Sequence, residues 1–396
     1  MLSCALALLL VVVADGYRSL RVKEMFEAYK ERFEHDFGDD DDYRMAVFED
    51  NLRYIEEGNA KGLSYTLKIT PFTHLTNAEF RDTMFGRFPE SQATLGTSSN
   101  TFDFKGSVDE LPKSVNYVTK GWVTEVKNQG WCGSCWAFST TGALEGLHKN
   151  VSGELVSLSE QELIDCSAHY GNWGCMGGWM NASFLYVADH GLEGEKDYPY
   201  NSSKVPPIIP PLAPCRRDTK KDVIKAHSIG YVNVTTKSKS AFLAALAHIG
   251  PVSVALNGGS KAFQHYGGGV LDSHCKTELD HGVLAVGYDL SAHKPYYLVK
   301  NSWGANWGEE GYIKIAIDDS AEGGQTAVSS LVSPVDVFRV MWYLDGSKLP
   351  HKGVNRGPAD DTKEWSQVSL LIHLPPRCSV SHLLRHTASF EPLEAT

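Results

Sequence analysis

Two cysteines three positions apart, Cys132 and Cys135, stand at the entrance to a helix-like segment and constrain this chain more than any other feature. Glycine and serine separate them, and apolar residues then recur at helical spacing over 136–147. Cys135 therefore falls in the first turn of the predicted helix, where the positive end of the helix dipole stabilises a thiolate. A zinc or redox site is the alternative. Because the chain lacks a second ligand pair at metal spacing and a neighbouring βαβ pattern, a reactive thiol is the favoured interpretation.

Composition and the N-terminus indicate the secretory pathway rather than a nucleic-acid partner. The net charge is −11, and Lys and Arg form no basic stripe that could bind phosphates. The short apolar run at 5–13 predicts a signal peptide over residues 1–16, and no other segment approaches the ~18 apolar residues of a membrane span. Asn-X-Ser/Thr triplets begin at Asn150, Asn181, Asn201 and Asn233. We expect a lysosomal or extracellular protein.

The cysteine count predicts at least one free thiol. The chain has eight cysteines, and seven remain after Cys4 leaves with the predicted signal peptide. An oxidising compartment permits disulfides, and an odd number leaves one cysteine unpaired if all pairing is internal. A thiol enzyme requires such a cysteine.

The sequence C-G-S-C-W at 132–136 resembles the segment around the nucleophilic cysteine of papain and the cathepsins. The resemblance extends to D-H-G-V-L-A-V-G-Y around His281 and to N-S-W-G beginning at Asn301. His281 follows Cys135 by 146 residues, within the separation of about 130–150 residues of this family. Asn301 follows Cys135 by 166 residues, a larger separation that we attribute to insertions in this chain.

The resemblance implies a catalytic set with divided roles. Cys135 is the nucleophile, His281 forms an ion pair with it, and Asn301 orients the imidazole. Gln129 and the backbone N–H of Cys135 are the expected oxyanion donors, while Trp303 screens the bond between His281 and Asn301 from water. The mechanism implies neither a metal nor an organic cofactor.

The resemblance also implies where a peptide substrate binds. Gly177 and Gly178 allow an extended backbone to approach closely. The expected pocket for the residue two before the scissile bond is apolar, favours Leu, Phe or Val, and is formed by Trp179, Met180, Ala255, Leu279 and Val328, with Trp303 nearby. No blocking element of the exopeptidase kind is evident near Cys132 to Trp179, so an endopeptidase is favoured. The proline-rich insertion at 201–214 is the one segment that could restrict access.

The disulfides are assigned by the same resemblance. It pairs Cys132 with Cys175 and Cys166 with Cys215, which braces the wall of the cleft. The partner that the family provides for Cys275 is missing here, because Gly323 and Gly324 stand about where Cys-Gly is expected. Cys275 is therefore either free or bonded to Cys378.

An amphipathic segment before the cysteine pair resembles the prodomain helix of cathepsin L-like zymogens. The matching positions are Arg44, Val47, Phe48, Asn51, Ile55 and Asn59, with Asp40 in place of the usual glutamate. In the motif G-x-N-x-F-x-D that should follow, only Phe72 is kept, and His74 replaces the aspartate. His74 could gain charge on acidification, but a surface histidine without a role is the favoured interpretation.

We therefore expect an α+β, papain-like fold with a helical lobe and a β-rich lobe, preceded by a helical prodomain. The predicted segments are a signal peptide (1–16), an inhibitory prodomain with its linker (17–110), a peptidase domain (111–333) and an atypical tail (334–396). The expected function is a monomeric cysteine endopeptidase, made as a zymogen, that acts on proteins or peptides and is inhibited by its own prodomain. A catalytically impaired binding protein is the alternative if the tail disrupts the β lobe.

Overall fold

The computed structural model describes residues 20–86, 101–202, 214–227, 229–235, 238–272, 279–317 and 339–343. Several sequence predictions lie outside these residues: the signal peptide, the positions of Cys275, Cys378 and Val328, and most of the insertion and of the tail. Within the described residues no helix is both long and apolar enough to span a membrane.

The described residues form helices and one large sheet. The helices are α1 (20–33), α2 (Asp41–Ala60), α3 (Asn77–Met84), α4 (Cys135–Ser152), α5 (Glu160–Cys166), α6 (Met180–His190), α7 (Lys239–His248) and α8 (Lys261–Gln264). The strands are β1 (Tyr65–Leu67), β2 (Thr101–Phe102), β3 (Ser114–Asn116), β4 (Gly191–Glu193), β5 (Asp222–Lys225), β6 (Ile229–Val234), β7 (Val252–Leu256), β8 (Tyr266–Leu271), β9 (His281–Asp289), β10 (Tyr296–Lys300), β11 (Tyr312–Ala316) and β12 (Arg339–Tyr343).

Helix α4 packs directly on strand β9, and this contact joins the two lobes. Glycines on α4 make the close approach possible: a Cβ atom at Gly142 would lie 2.7 Å from Cδ2 of Leu284 on β9, and one at Gly146 would lie 2.7 Å from Cγ of Pro251, which directly precedes β7. Every residue of β9 except its last is buried. The helix that begins with Cys135 is therefore held against the strand that begins with His281.

The sheet runs in the order β1-β8-β11-β10-β9-β7-β12-β6-β2, with β3 also paired to β9. β4 and β5 form a separate pair. Part of the atypical tail enters the large sheet, because β12 pairs antiparallel with β6 along its length and with β7 at Arg339. The sequence prediction missed this strand, since the tail shows no clear period of two.

The segment predicted as the prodomain extends the sheet of the predicted peptidase domain. β1 pairs antiparallel with β8, placing Tyr65 opposite Gly269 and Leu67 opposite Tyr266. Asn59 on α2 fixes β1, because its side chain donates to Leu67 O at 2.9 Å and accepts from Leu67 N at 2.7 Å. The sequence did not predict this pairing, which requires two segments about two hundred residues apart.

The predicted prodomain positions on α2 divide into packing and hydrogen-bonding residues. Val47, Phe48 and Ile55 are buried, as helical spacing requires. Asn51 is also buried and donates to the carbonyls of Thr73 and Leu75, each at 2.9 Å. The helix therefore holds the loop that carries His74.

The interpretation of His74 as a surface histidine is wrong. Only 3% of the residue is exposed, its Nδ1 lies 2.6 Å from the Tyr29 hydroxyl, and its ring centroid lies 4.4 Å from that of His35. Burial lowers the pKa of His74 to about 3, and the nearby His35 and Arg44 contribute to the same direction. The sequence could not indicate this burial, because the covering rings come from α1 and the segment after it.

Charged side chains lie buried between the lobes. Lys127 Nζ contacts Glu145 on α4 at 3.1 Å and Glu160 on α5 at 2.6 Å. Thr124 Oγ1 donates to Glu145 at 2.6 Å and accepts from Lys300 of β10 at 3.0 Å. We call Lys127, Glu145, Glu160 and Lys300 the interlobe charge cluster.

Exposure distinguishes the glycosylation triplets. Asn181 lies on α6 and is only 1% exposed, so the folded chain does not present it to a glycosyltransferase. Asn150 and Asn201 are exposed.

Candidate active site

Cys135 is the first residue of α4 and the one free cysteine among the described residues. Its side chain is buried, and its Sγ accepts a hydrogen bond from the backbone N–H of Gly282 at 3.3 Å. The preceding Cys132 is bonded to Cys175, so the C-x-x-C pair is divided between a structural bond and a free thiol. This division leaves no dithiol for a redox cycle or for zinc.

His281 is the first residue of β9 and directly precedes Gly282, whose N–H contacts the Cys135 sulfur. Its Nε2 is 2.7 Å from Asn301 Oδ1, and the Trp303 indole stacks on the imidazole at a centroid distance of 4.6 Å. Because an amide oxygen only accepts, Nε2 carries the proton of this bond. In neutral His281 the other nitrogen, Nδ1, is therefore unprotonated and able to accept a proton.

Gln129 is held by the opposite lobe. Ser302 Oγ donates to Gln129 Oε1 at 2.7 Å, and Gln129 N donates to Ser302 O at 2.8 Å. Because Gln129 Oε1 accepts from Ser302, the amide is oriented so that Nε2 donates to the backbone carbonyls of Met84 at 3.1 Å and Cys132 at 3.0 Å. Sequence reasoning identified Gln129 but missed Ser302, although the N-S-W-G segment contains it.

The prodomain occupies the cleft between these residues. The backbone carbonyl of Met84 accepts a hydrogen bond from Gln129 Nε2, and the Phe85 ring stands edge-on to the His281 imidazole at a centroid distance of 5.2 Å. A Cβ atom at Gly86 would lie 2.5 Å from both Gly133 O and Gly177 Cα, so only glycine fits there. The segment after α3 therefore covers the Cys135 thiol, the His281 imidazole and the Gln129 amide together.

Burial in the closed site shifts the pKa values of both Cys135 and His281. Burial raises the pKa of the Cys135 thiol to about 11, although the N–H groups of Gly282 and Trp136 oppose the rise. Burial also lowers the pKa of His281 to about 4, against the effect of Asn301. At neutral pH the proform therefore holds a thiol and a neutral imidazole, the opposite of the ion pair expected from the sequence for the active state.

Most of the apolar residues expected to bind substrate pack together. Trp179, Met180 and Ala255 are buried in one apolar cluster, and the partly exposed Leu279 packs against it. Gly177 has a φ of 121°, which disfavours any side chain, and Cys175 O accepts from Gly133 N at 3.0 Å beside it. Trp303 lies deeper, against His281.

Sequence reasoning missed two exposed apolar side chains on this rim. Trp173 is 45% exposed and Met176 is 38% exposed, in the loop that leads to Gly177. Their position after a run of Gly and Asn gave no periodic signal. Large exposed apolar side chains beside a cleft are typical of a binding surface.

The second disulfide joins Cys166 to Cys215 in the same lobe. No group of three or more His, Cys, Asp or Glu side chains in the described ranges is arranged to bind a metal ion.

Comparison with known proteins agrees with this geometry. Residues 111–332 match the papain family cysteine protease domain, and residues 26–80 match the cathepsin propeptide inhibitor domain (I29). The chain is 43% identical over 316 residues to the probable cysteine protease RD21B of Arabidopsis thaliana, covering 78% of this chain and 65% of that protein. It therefore spans slightly less than two thirds of that relative.

Further relatives cover more of their own length. Chymopapain of Carica papaya is 44% identical over 274 residues, which is 69% of this chain and 74% of that protein. The structure of digestive procathepsin L 3 of Tenebrio molitor larval midgut matches with a TM-score of 0.67 at 31% identity, covering 81% of this chain and 99% of that one. The chain belongs to the papain family of cysteine proteases and carries a cathepsin propeptide inhibitor domain.

Proposed function

We propose that this chain is the zymogen of a cysteine endopeptidase that uses Cys135, His281, Asn301 and Gln129. One observation carries the proposal: the free thiol at the start of α4 lies in the same closed site as an imidazole held by Asn301 at 2.7 Å. A nucleophile, a base and an orienting group in one cleft meet the requirements of covalent acyl transfer.

The proposed reaction has two stages. The Cys135 thiolate attacks the scissile carbonyl carbon, and Gln129 Nε2 and the Cys135 N–H stabilise the resulting oxyanion. His281 donates its proton to the leaving amine, which breaks the C–N bond and leaves a thioester. Water, deprotonated by His281, then attacks the thioester and releases the acid and the thiol. Asn301 keeps the imidazole in orientation throughout.

The buried prodomain segment accounts for latency in this proposal. While Phe85 and Gly86 exclude water, the charged forms of Cys135 and His281 are disfavoured, as their shifted pKa values indicate. Departure of the segment admits water and allows the thiolate–imidazolium pair to form. The prodomain therefore inhibits in two ways: it occupies the cleft, and it keeps Cys135 and His281 uncharged.

Substrate preference follows from the apolar wall. We expect extended peptides with Leu, Phe or Val two residues before the scissile bond, because the cluster of Trp179, Met180 and Ala255 offers no charged group. The cleavage that releases the mature enzyme is expected between about Gly106 and Leu111. In support, Asp109 and Glu110 are exposed, whereas Leu111 is buried.

Hydrolysis of a Phe-Arg or Leu-Arg fluorogenic peptide after acid processing tests the proposal. We expect activity that an epoxide thiol inhibitor abolishes and that Cys135→Ala lacks. Matched peptides with blocked and free termini separate an endopeptidase from an exopeptidase. A processed protein that is labelled by the epoxide but cleaves none of these peptides would contradict the endopeptidase proposal and favour the binding protein.

We further expect a monomer that enters the secretory pathway and acts in lysosomes or outside the cell. Two disulfides and exposed glycosylation triplets are typical of that route. Size-exclusion chromatography with light scattering, and mass spectrometry of the secreted protein, measure these properties.

A further inference from the structure

Strand β8 is an inner strand of the large sheet only while β1 is in place. The strand order begins β1-β8-β11, so β8 has β1 on one side and β11 on the other. The cleavage expected between about Gly106 and Leu111 separates β1 from the peptidase domain. Once the prodomain has left, β8 is the outermost of these strands, and the backbone groups that faced β1 are open.

Backbone hydrogen bonds between the two segments extend beyond the paired residues. Lys68 N donates to His265 O at 2.8 Å, and Val270 N donates to Ser64 O at 2.8 Å. The Ser64 hydroxyl also donates to Val270 O at 2.9 Å. Because backbone bonds do not depend on the identity of a side chain, another extended segment can form them in place of β1.

The edge keeps its shape through contacts inside the peptidase domain. Glu309 Oε1 accepts from Gly269 N at 2.8 Å, and the Tyr266 hydroxyl donates to Gly269 O at 2.5 Å. Glu309 is itself paired with Lys314 at 2.6 Å. None of these contacts uses a prodomain residue, so the departure of β1 leaves them intact.

The three glycines at 267–269 leave room for a strand to approach. A Cβ atom at Gly267 would lie 3.1 Å from Lys68 Cβ, and one at Gly269 would lie 2.5 Å from Ser64 O. At both positions the nearest atoms belong to the prodomain. The missing side chains therefore make space for a segment that lies on the edge.

The prodomain chain shows that one polypeptide can occupy this edge and the cleft together. After β1 the Phe72 ring packs edge-on to Trp303 at a centroid distance of 5.3 Å, and Phe85 then reaches His281. The segment 67–86 spans the whole route. A substrate with a linker of similar length can therefore bind at both places.

The same route indicates on which side of the scissile bond the edge lies. The chain that comes from the edge passes Trp303 and His281 before Gly86 reaches Gly177. In the proposed reaction His281 protonates the leaving amine, and the acyl part of the substrate lies along Gly177. The edge is therefore on the leaving-group side, which binds residues that follow the scissile bond.

We propose that the vacated edge of β8 is an exosite, a binding site outside the cleft, that pairs with an extended segment of a protein substrate. This proposal rests on the proposed function, because the edge opens only when the prodomain leaves. In β1, Tyr65 and Leu67 are buried and Thr66 is exposed, so the fitting segment has apolar side chains at alternate positions. A second β8 would offer glycines at 267–269 in their place.

The test uses a quenched fluorescent peptide that carries one cleavage sequence and, after it, a Gly/Ser linker of about 20 residues and the sequence of Ser64–Lys68. The control substrate carries Thr66→Pro in that segment, which removes a backbone N–H and keeps both apolar side chains. We expect kcat/KM of the processed enzyme to be about tenfold higher for the first substrate, because binding at the edge raises the effective concentration at the cleft.

A variant of the enzyme tests the edge from the other side. Gly267→Val should abolish the difference between the two linked substrates, because its side chain occupies the space that Lys68 takes in the proform. Hydrolysis of a short Phe-Arg peptide should be unchanged. Free Ser64–Lys68 peptide should inhibit cleavage of the linked substrate and leave that of the short peptide unaffected. If Gly267→Val does not mature, the comparison of the two linked substrates on wild type decides.

Three results would overturn the inference. They are equal kcat/KM for the two linked substrates, inhibition of short-peptide hydrolysis by the free segment, and a processed dimer in light scattering that the free segment dissociates. A processed chain that hydrolyses no peptide contradicts the proposed function instead. Fluorescence anisotropy of the labelled segment then still measures the exosite, with binding expected to wild type and not to Gly267→Val.

Discussion

Two sets of buried polar side chains hold the parts of this molecule together, and they differ in charge. In the interlobe charge cluster, Lys127 contacts Glu145 of α4 at 3.1 Å and Glu160 of α5 at 2.6 Å, and Thr124 links Glu145 to Lys300 of β10 through hydrogen bonds of 2.6 and 3.0 Å. The N-terminal region instead holds two buried histidines at the peptidase: His74 lies beneath Tyr29 of α1, with the Trp131 ring of the peptidase domain at a centroid distance of 6.3 Å, and His265 lies beneath Tyr54. We call these two residues the interface histidines. Both are uncharged at neutral pH.

His265 shows most clearly what this neutrality means. It is fully buried, and neither ring nitrogen has a hydrogen-bond partner among the described residues. Its backbone carbonyl accepts from Lys68 of the prodomain at 2.8 Å, and its ring lies 6.1 Å from that of Tyr54. Burial lowers the pKa of His265 to about 3, with a further contribution from Lys261.

The two regions therefore respond differently to acid. A histidine with a pKa of about 6.5 when exposed and about 3 when buried binds more protons in the open state. The free energy by which such a histidine destabilises the closed state is zero above pH 6.5 and increases as the pH falls towards 3. In the cluster, Lys127 and Lys300 outweigh burial and lower the pKa of Glu145, whereas burial outweighs Lys127 and raises the pKa of Glu160. Because Glu145 keeps its charge as the pH falls, we expect acid to open the prodomain contact while the contacts of Glu145 still join the lobes.

The largest expected effect is the loss of Glu145. Glu145→Ala leaves Lys127 and Lys300 buried without that carboxylate, and removal of one partner from a buried ion pair destabilises a protein by about 3–5 kcal/mol. Urea unfolding in the Cys135→Ala background measures it, away from self-processing. Asp109→Asn, which removes an exposed pair with Lys113, is the control and should cost about 0–1 kcal/mol. A loss below that of the control would contradict the role of the cluster.

The next effect concerns the interface histidines. Each should weaken the closed zymogen by about 1.4 kcal/mol per pH unit below 6.5, or ~2.7 kcal/mol at pH 4.5. His74→Asn and His265→Phe should each reduce the pH dependence of thermal unfolding in the Cys135→Ala chain between pH 6.5 and 4.5. Replacement of the exposed His293 by Gln serves as the control. Unchanged slopes in both variants would exclude the histidines as the source of acid sensitivity.

A smaller effect is expected where the prodomain covers His281. Phe85→Ala removes edge-on contacts with His281 and Trp303, at centroid distances of 5.2 and 5.8 Å. Such contacts contribute about 0.5–1.5 kcal/mol each, so the cover should open roughly tenfold more often. Iodoacetamide labelling of Cys135 in the unprocessed chain at neutral pH should accelerate by the same factor. Equal labelling of wild type and variant would show that Phe85 does not control access.

The family resemblance assigned Cys135, His281 and Asn301 from three contiguous segments, and the structure brings these residues together in one cleft. The burial of His74, the contact of Tyr200 with Ser134 and the pairing of β1 with β8 depend on segments far apart in sequence. The same holds for strand β12 (Arg339–Tyr343), because no periodicity in the tail indicates that it pairs with β6.

Amide hydrogen exchange of the Cys135→Ala chain at pH 7.5 and 4.5, corrected for intrinsic rates, tests the contrast between the two regions most directly. We expect acid to remove protection from β1 and from the segment 71–86, while α4, β9 and β10 stay protected. Loss of protection in α4 or β10 before β1, or equal protection of β1 at both pH values, would contradict the account.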